Sequence, residues 1–180
     1  LLENEGTRDV KAKSELTWNS DTCSDRTMVV MKDLFMPGRQ DWRTPRFLFD
    51  VLNKQYNFTH DLAADKDNAL CPAYFTVLDD ALSKSWVGIR GYLNPPFGRR
   101  DQPVRRWIEK AYLSGCEPNT LVAVLMPVRS NVNWWHKYVM QSDTIIFLNG
   151  RPTFEGAKNT FIFPLCVVVF SPEMLTRQTQ

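Results

Sequence analysis

Histidine is scarce in this chain, with only His60 and His136 among 180 residues. The four cysteines, Cys23, Cys71, Cys116 and Cys166, are widely scattered and form no Cys-x-x-Cys pair. Together these shortages argue against a zinc site, and reduced thiols in a cytoplasmic setting are the expectation. No apolar run approaches the about 20 residues a membrane helix needs, and the polar N-terminus lacks the apolar core of a signal peptide. Internal repeats and low-complexity blocks are also missing. Leu1 stands where an initiator Met would, as in a processed chain or a fragment. What remains is ordinary for a soluble globular protein: 43% hydrophobic, 23% charged, net charge +2. That length suits one domain with a single sizeable core.

Residues 1–38 are polar, mixed in charge and aperiodic, and read as a flexible arm with one patch of possible order at Met28-Val29-Val30-Met31. Residues 39–180 read as the folded domain. Thr44 as N-cap with Pro45 at the first helical position predicts a helix, whose stripe of Phe47, Leu48, Val51, Leu52 and Tyr56 faces the core. Tyr56 to Ala64 alternates and predicts a strand, which puts Asp61 near its C-terminal end. Residues 65–88 read as loop with short elements, and 89–93 as a strand. A helix follows from Gln102-Pro103 to Ser114, with Val104, Trp107, Ile108, Ala111 and Tyr112 inward and Gly115 as its C′ residue. Thr120–Met126 is a continuous apolar run, as in a strand covered on both faces. A helix over 131–140, a strand over 144–148 closed by Asn149-Gly150, and a last strand beginning properly at Leu165 complete the set. Strand–helix alternation predicts parallel neighbours. The last strand, lacking a crossover helix, is expected to run antiparallel. The fold class is therefore an α/β mixed sheet of the doubly wound, methyltransferase-like kind.

The densest signal is Asn94-Pro95-Pro96-Phe97-Gly98. Two prolines can neither extend a strand ladder nor enter a helix interior, so Asn94 sits where the 89–93 strand ends. In open α/β sheets ligands bind at such strand ends. A rigid turn offering an amide oxygen (Asn94), a backbone carbonyl (Pro95) and an aromatic face (Phe97) can hold a planar group bearing an NH2. A strand-ending turn with a buried Phe is the plainer account of a Pro-Pro pair alone. Around the turn, Arg99, Arg100, Arg105, Arg106 and Lys110, and later Arg129, Lys137 and Arg151, form a basic set suited to a phosphate-bearing partner.

Asn94-Pro95-Pro96-Phe97 resembles the (Asp/Asn)-Pro-Pro-(Tyr/Phe) motif of S-adenosylmethionine-dependent amino-methyltransferases. The wider pattern resembles the phage-type Dam family of DNA adenine-N6 methyltransferases over roughly residues 41–170. It includes Asp41-Trp42-x-Thr44-Pro45, Asp61-x-Ala63-Ala64, Asn68-Ala69, Cys71-Pro72, Leu82 and Trp86. Beyond the central turn it continues through Trp107-x-Glu109-Lys110-Ala111, Leu125-Met126-Pro127, Trp134-Trp135-His136 and Gly150-Arg151-x-x-Phe154. The resemblance implies direct methyl transfer to adenine N6 in double-stranded DNA, with the base flipped out and Asn94, Pro95, Pro96 and Phe97 as the catalytic turn. It implies S-adenosylmethionine as cofactor, held by Trp42, Thr44, Pro45, Asp61, Ala63, Ala64 and Asp80. It implies no metal, and, with a phage or prophage source, the bacterial cytoplasm and a DNA-modification role of the restriction-modification kind.

For DNA, the expected contacts are Arg99, Arg100, Arg129, Asn133, Trp134, His136, Lys137 and Arg151. Trp134-Trp135 also reads as one core and one rim residue, and Arg151 as a partner for Glu155. The chain departs from the usual methyltransferase pattern in one respect. No Gly-x-Gly follows the first strand, where Ala63-Ala64 stand instead, and only positions 62–79 separate Asp61 from Asp80. An abbreviated cofactor half is therefore expected, with Asp61, Asp65 and Asp80 all open as the ribose ligand. RNA, a protein glutamine amide, or plain DNA binding without catalysis are the alternatives the same turn leaves open.

Overall fold

The computed structural model describes residues 42–97, 103–155, 161 and 163–173; the N-terminal arm, Gly98, Arg99 and Arg100 lie outside the described residues. Helix α1 (Arg46–Tyr56) leads into β1 (His60–Asp61), β2 (Ala73–Tyr74) and β3 (Arg90–Leu93). Helix α2 (Val104–Gly115) connects β3 to β4 (Leu121–Pro127); α3 (Asn133–Lys137), β5 (Thr144–Phe147) and β6 (Leu165–Phe170) follow. The strands form one sheet in the order β2-β1-β3-β4-β6-β5. The first four run parallel, and β6 lies antiparallel between β4 and β5. This is the mixed, methyltransferase-like sheet expected, with its last strand antiparallel.

Period-2 alternation in the two longest strands builds the core. Leu121, Ala123 and Leu125 of β4, with Val167 and Val169 of β6, pack under Leu48, Phe49 and Leu52 of α1. Val122, Val124 and Met126, with Val168 and Phe170, face Trp107, Ile108 and Ala111 of α2 and Trp135 of α3. Every residue of both strands is buried, as the continuous apolar runs required.

Several local expectations are corrected. Pro45, not Thr44, is the N-cap of α1, and no side chain of its own caps the helix. The Thr44 hydroxyl is engaged by Tyr92 Oη at 2.8 Å, while the free N–H of Arg46 donates to Glu155 Oε1 at 3.0 Å. Glu155 is thereby committed to the helix start instead of to Arg151. Phe47 and Val51 face solvent, since the buried face of α1 carries Leu48, Phe49, Leu52 and Tyr56. The first strand shrinks to two residues because Tyr56 belongs to α1, which ends with Asn57 in a left-handed conformation. The helix expected over 131–140 is a five-residue α3 followed by a 3-10 turn, Val139–Gln141.

Gly115 is the last residue of α2, not its C′ residue, and its smallness serves packing. A Cβ there would lie 2.6 Å from Phe170 Cβ and 2.9 Å from the Phe170 backbone carbon. Because that contact is with backbone, Gly115→Ala is expected to destabilise by about 1–3 kcal/mol of overpacking, despite alanine's better helix propensity. Urea denaturation measures it, and a midpoint at or above the wild-type value would refute the close seam.

Candidate active site

Parallel pairing brings the C-terminal ends of β1, β3 and β4 to one edge of the sheet, with Asp61 level with Tyr92 and Leu93 level with Val124. A cavity of about 330 Å³ opens at this edge. It is lined by Trp42, Thr44, Asp61, Ala63, Ala64 and Asp80, and by Asn94 and Pro96 of the central turn. Pro45, Pro95 and Phe97 are not among its lining residues.

The Asn94 amide is held from both sides of its nitrogen. Nδ2 donates to the Trp42 carbonyl at 2.6 Å and to Thr44 Oγ1 at 3.2 Å. A backbone carbonyl can only accept, so the amide orientation follows from this bond. Thr44 is itself tied to Tyr92 Oη, which makes a relay from the core of the sheet to the turn. Burial raises the Tyr92 phenol well above its ordinary value, so it stays a neutral hydroxyl. Oδ1 of Asn94 is buried without a hydrogen-bond partner among the described residues. An acceptor left in that state costs about 1–3 kcal/mol, which a donor arriving with a ligand would offset. Phe97 is half-buried, its ring 6.3 Å from Phe161, and Phe161 in turn meets Trp42 and Phe154 edge-on.

The acidic residues divide by role. Asp61 is buried, and its two oxygens accept the N–H groups of Leu70 at 3.1 Å and Ala63 at 3.4 Å. It therefore clamps the two ends of the loop that forms one cavity wall. Desolvation pushes its carboxyl up to about 6, against the smaller opposing effect of those two bonds. Asp79 is consumed in a capping box with Thr76, whose hydrogen bonds lower its pKa. Asp80 follows in a left-handed conformation, φ +46°, exposed and lining the cavity. Asp65 also lines the cavity; its backbone accepts from Asn68 and Ala69 in a turn. Ala63-Ala64 form the wall where a glycine loop was missed, and no third element intervenes between β2 and the Val77–Asp79 turn.

None of the DNA-contact candidates among the described residues lines the cavity. Arg129 follows the end of β4, half-buried, its pKa lowered by desolvation. Asn133, Trp134, His136 and Lys137 lie on α3 just beyond it. His136 Nε2 is 2.8 Å from the Ser130 carbonyl, and Lys137 Nζ sits 4.9 Å from the centre of the Tyr138 ring. Trp135 is core and Trp134 half-buried beside it. Arg151 is exposed beyond β5. Because β5 runs parallel to β4 through their shared antiparallel partner, Arg151 and α3 follow strand ends on the edge that carries Asn94. Tyr92 and Trp107 are among the lining residues that were not foreseen as part of a site. Their sequence signals were those of core aromatics, and only tertiary packing turns them toward a site.

The Dam profile, described as DNA N-6-adenine-methyltransferase, matches residues 32–162 of the chain. The chain is 27% identical over 117 residues to the DNA N-6-adenine-methyltransferase of Escherichia phage T1, covering 64% of this chain and 47% of that protein. It thus spans about half the length of that relative. It is 26% identical over 142 residues to the enzyme of the same name from Haemophilus phage HP1, covering 73% and 79% of the two chains. With the YfdM protein of Escherichia coli (strain K12) it shares 40% identity over 63 residues, 31% of this chain and 69% of that one. The profile match runs through both walls of the cavity and the turn between them, and the chain belongs to the Dam family of DNA N-6-adenine-methyltransferases.

Proposed function

We propose that the chain transfers a methyl group from S-adenosylmethionine to the exocyclic N6 of adenine in double-stranded DNA, a reading supported by its similarity to phage proteins named DNA N-6-adenine-methyltransferase. One observation carries the reading: an amide with both N–H groups engaged and its oxygen unpartnered, set at a strand end on a cavity. A bound S-adenosylmethionine would supply an electrophilic methyl on a sulfonium. The residues present fit such a group. The cavity volume falls in the ligand range, and an unpaired acid, Asp80, stands on a wall of small and apolar residues.

Adenine N6 is a poor nucleophile because its lone pair is delocalised into the ring. Asn94 Oδ1 and the Pro95 carbonyl accept its two hydrogens and stabilise positive charge developing on nitrogen. The Pro-Pro pair removes backbone freedom at this point, so the acceptors need little reorganisation. Phe97 stacks on the flipped base, backed by Phe161. Trp42, Thr44, Pro45, Ala63 and Ala64 shape the cofactor side. Asp80 makes the polar contact there, while Asp61 holds the wall.

The basic groups at the strand ends, Arg129, Lys137 and Arg151 with Arg99 and Arg100, contact DNA phosphates; Asn133, Trp134 and His136 complete that surface. Lys137→Ala is expected to weaken duplex binding uniformly across sequences and reduce the log–log salt slope by about 1. Fluorescence anisotropy at several salt concentrations reads it, and an unchanged slope would remove Lys137 from the interface. Labelled S-adenosylmethionine with unmethylated duplex DNA, digested to nucleosides, tests the whole reading. Label in N6-methyladenine is expected. Label in RNA or protein alone, or no transfer at all, would refute it.

A further inference from the structure

Among the described residues, two side chains on the cavity carry a buried polar atom without a partner, and they are opposite in kind. One is the acceptor Oδ1 of Asn94, already given a role; the other is the donor Nε1 of Trp107. Trp107 is only 4% exposed, on the first turn of α2, where its ring stacks at 6.4 Å on Trp86. The neighbouring indole behaves differently. Trp86 Nε1 donates to the Ala81 carbonyl at 2.9 Å, and so is fully used in tying the helix layer to the Asp80-Ala81 wall.

A buried indole N–H without an acceptor costs the free protein stability, and most such groups in folded proteins find a partner. Phenylalanine or leucine would fill a purely packing position without that cost. Asp80, an acceptor, adjoins Ala81 on the wall that Trp86 joins to Trp107. A donor and an acceptor on one wall match the edge of an adenine base, which offers a ring-nitrogen acceptor beside amino-group donors. We infer that Trp107 is a cofactor-binding residue, its indole N–H donating to a ring nitrogen of the methyl donor's adenine while Asp80 accepts from the amino group. This assignment rests on the cofactor reading given above.

The test is titration calorimetry with S-adenosylhomocysteine, which carries the same adenosyl group, in the absence of DNA. Trp107→Phe is expected to bind roughly tenfold more weakly than wild type, the loss of one hydrogen bond to a ligand. Because the smaller ring leaves a void, the decisive variant is Trp107→3-benzothienylalanine, which keeps the shape and replaces N–H by sulfur. It is expected to show the same tenfold loss with a melting temperature of the free protein equal to or above that of wild type. Affinity within twofold of wild type in that variant overturns the assignment while leaving the cofactor reading intact. So does unchanged S-adenosylhomocysteine affinity with a raised KM for DNA, which would move the donor to the target base. Failure of the wild-type chain itself to bind would overturn the cofactor reading, and the assignment with it.

Discussion

Asn94→Ala is expected to lower the rate of methyl transfer by at least about 10²–10³-fold, the loss typical of removing one preorganised polar group that stabilises developing charge. Affinity for S-adenosylmethionine should stay within a few-fold, because in the proposed mechanism the truncated atoms serve the target amino group. Single-turnover transfer assays and calorimetry on the same preparation separate the two effects. The network around Asn94 sharpens this with a second variant. Asn94→Asp retains an oxygen at the Oδ1 position but turns its other oxygen toward the Trp42 carbonyl, where the amide nitrogen now donates at 2.6 Å. Acceptor then faces acceptor, and the turn loses the bond that orients it. Asn94→Asp is therefore also expected to lose most of its activity, through positioning instead of chemistry. A fully active alanine variant would remove Asn94 from the mechanism. A fully active aspartate variant would show that the Trp42 contact does not orient it.

How much of this was legible beforehand depended on whether a feature is local or long-range. The two longest strands were readable because runs of seven and six consecutive buried residues are written as continuous apolar stretches. The Asn-Pro-Pro-Phe turn was readable because proline chemistry punctuates the chain regardless of its surroundings. Thr44 was misread because its side chain had two competing partners. A cap within the same segment looked sufficient, yet Tyr92, 48 positions away, takes the hydroxyl. Gly115 was misread for a similar reason, since a glycine at a helix end has a common local explanation and the distant one, Phe170, is visible only in three dimensions. The insertion of β6 between β4 and β5 likewise had no local signature. At the site, motif spacing singled out Trp42, Thr44, Asp61, Ala63, Ala64, Asp80, Asn94 and Pro96, which line the cavity, along with Pro45, Pro95 and Phe97, which do not. Assigning different tasks to Asp61, Asp79 and Asp80 required knowing which backbone N–H groups each one meets.

Asp61 supplies the second large effect, a pH dependence of stability with a sign opposite to that of most carboxylates. Its pKa rises from an ordinary 3.8 to about 6 in the folded chain, chiefly because burial disfavours the charged form. Between those two values the native state holds a proton that the unfolded state has released. Stability contributed by this group is therefore greatest below about pH 4, falls as pH rises through the window, and stays low above pH 6. The span of the shift corresponds to on the order of 3 kcal/mol. Paired surface acids trend the other way, so the measurement is a difference: urea denaturation of wild type and Asp61→Asn from pH 4 to pH 8. The variant has no charge to bury, so wild-type stability relative to it should decline by about that amount across the window and then level off. Parallel curves would mean that Asp61 titrates as a solvated carboxylate. A carboxylate is nonetheless needed for the clamp, because its two oxygens accept the N–H groups of Ala63 and Leu70 separately, whereas an amide accepts one and turns its NH2 toward the other. Asp61→Asn should accordingly loosen the cavity wall, seen as faster amide exchange at Ala63 and Leu70.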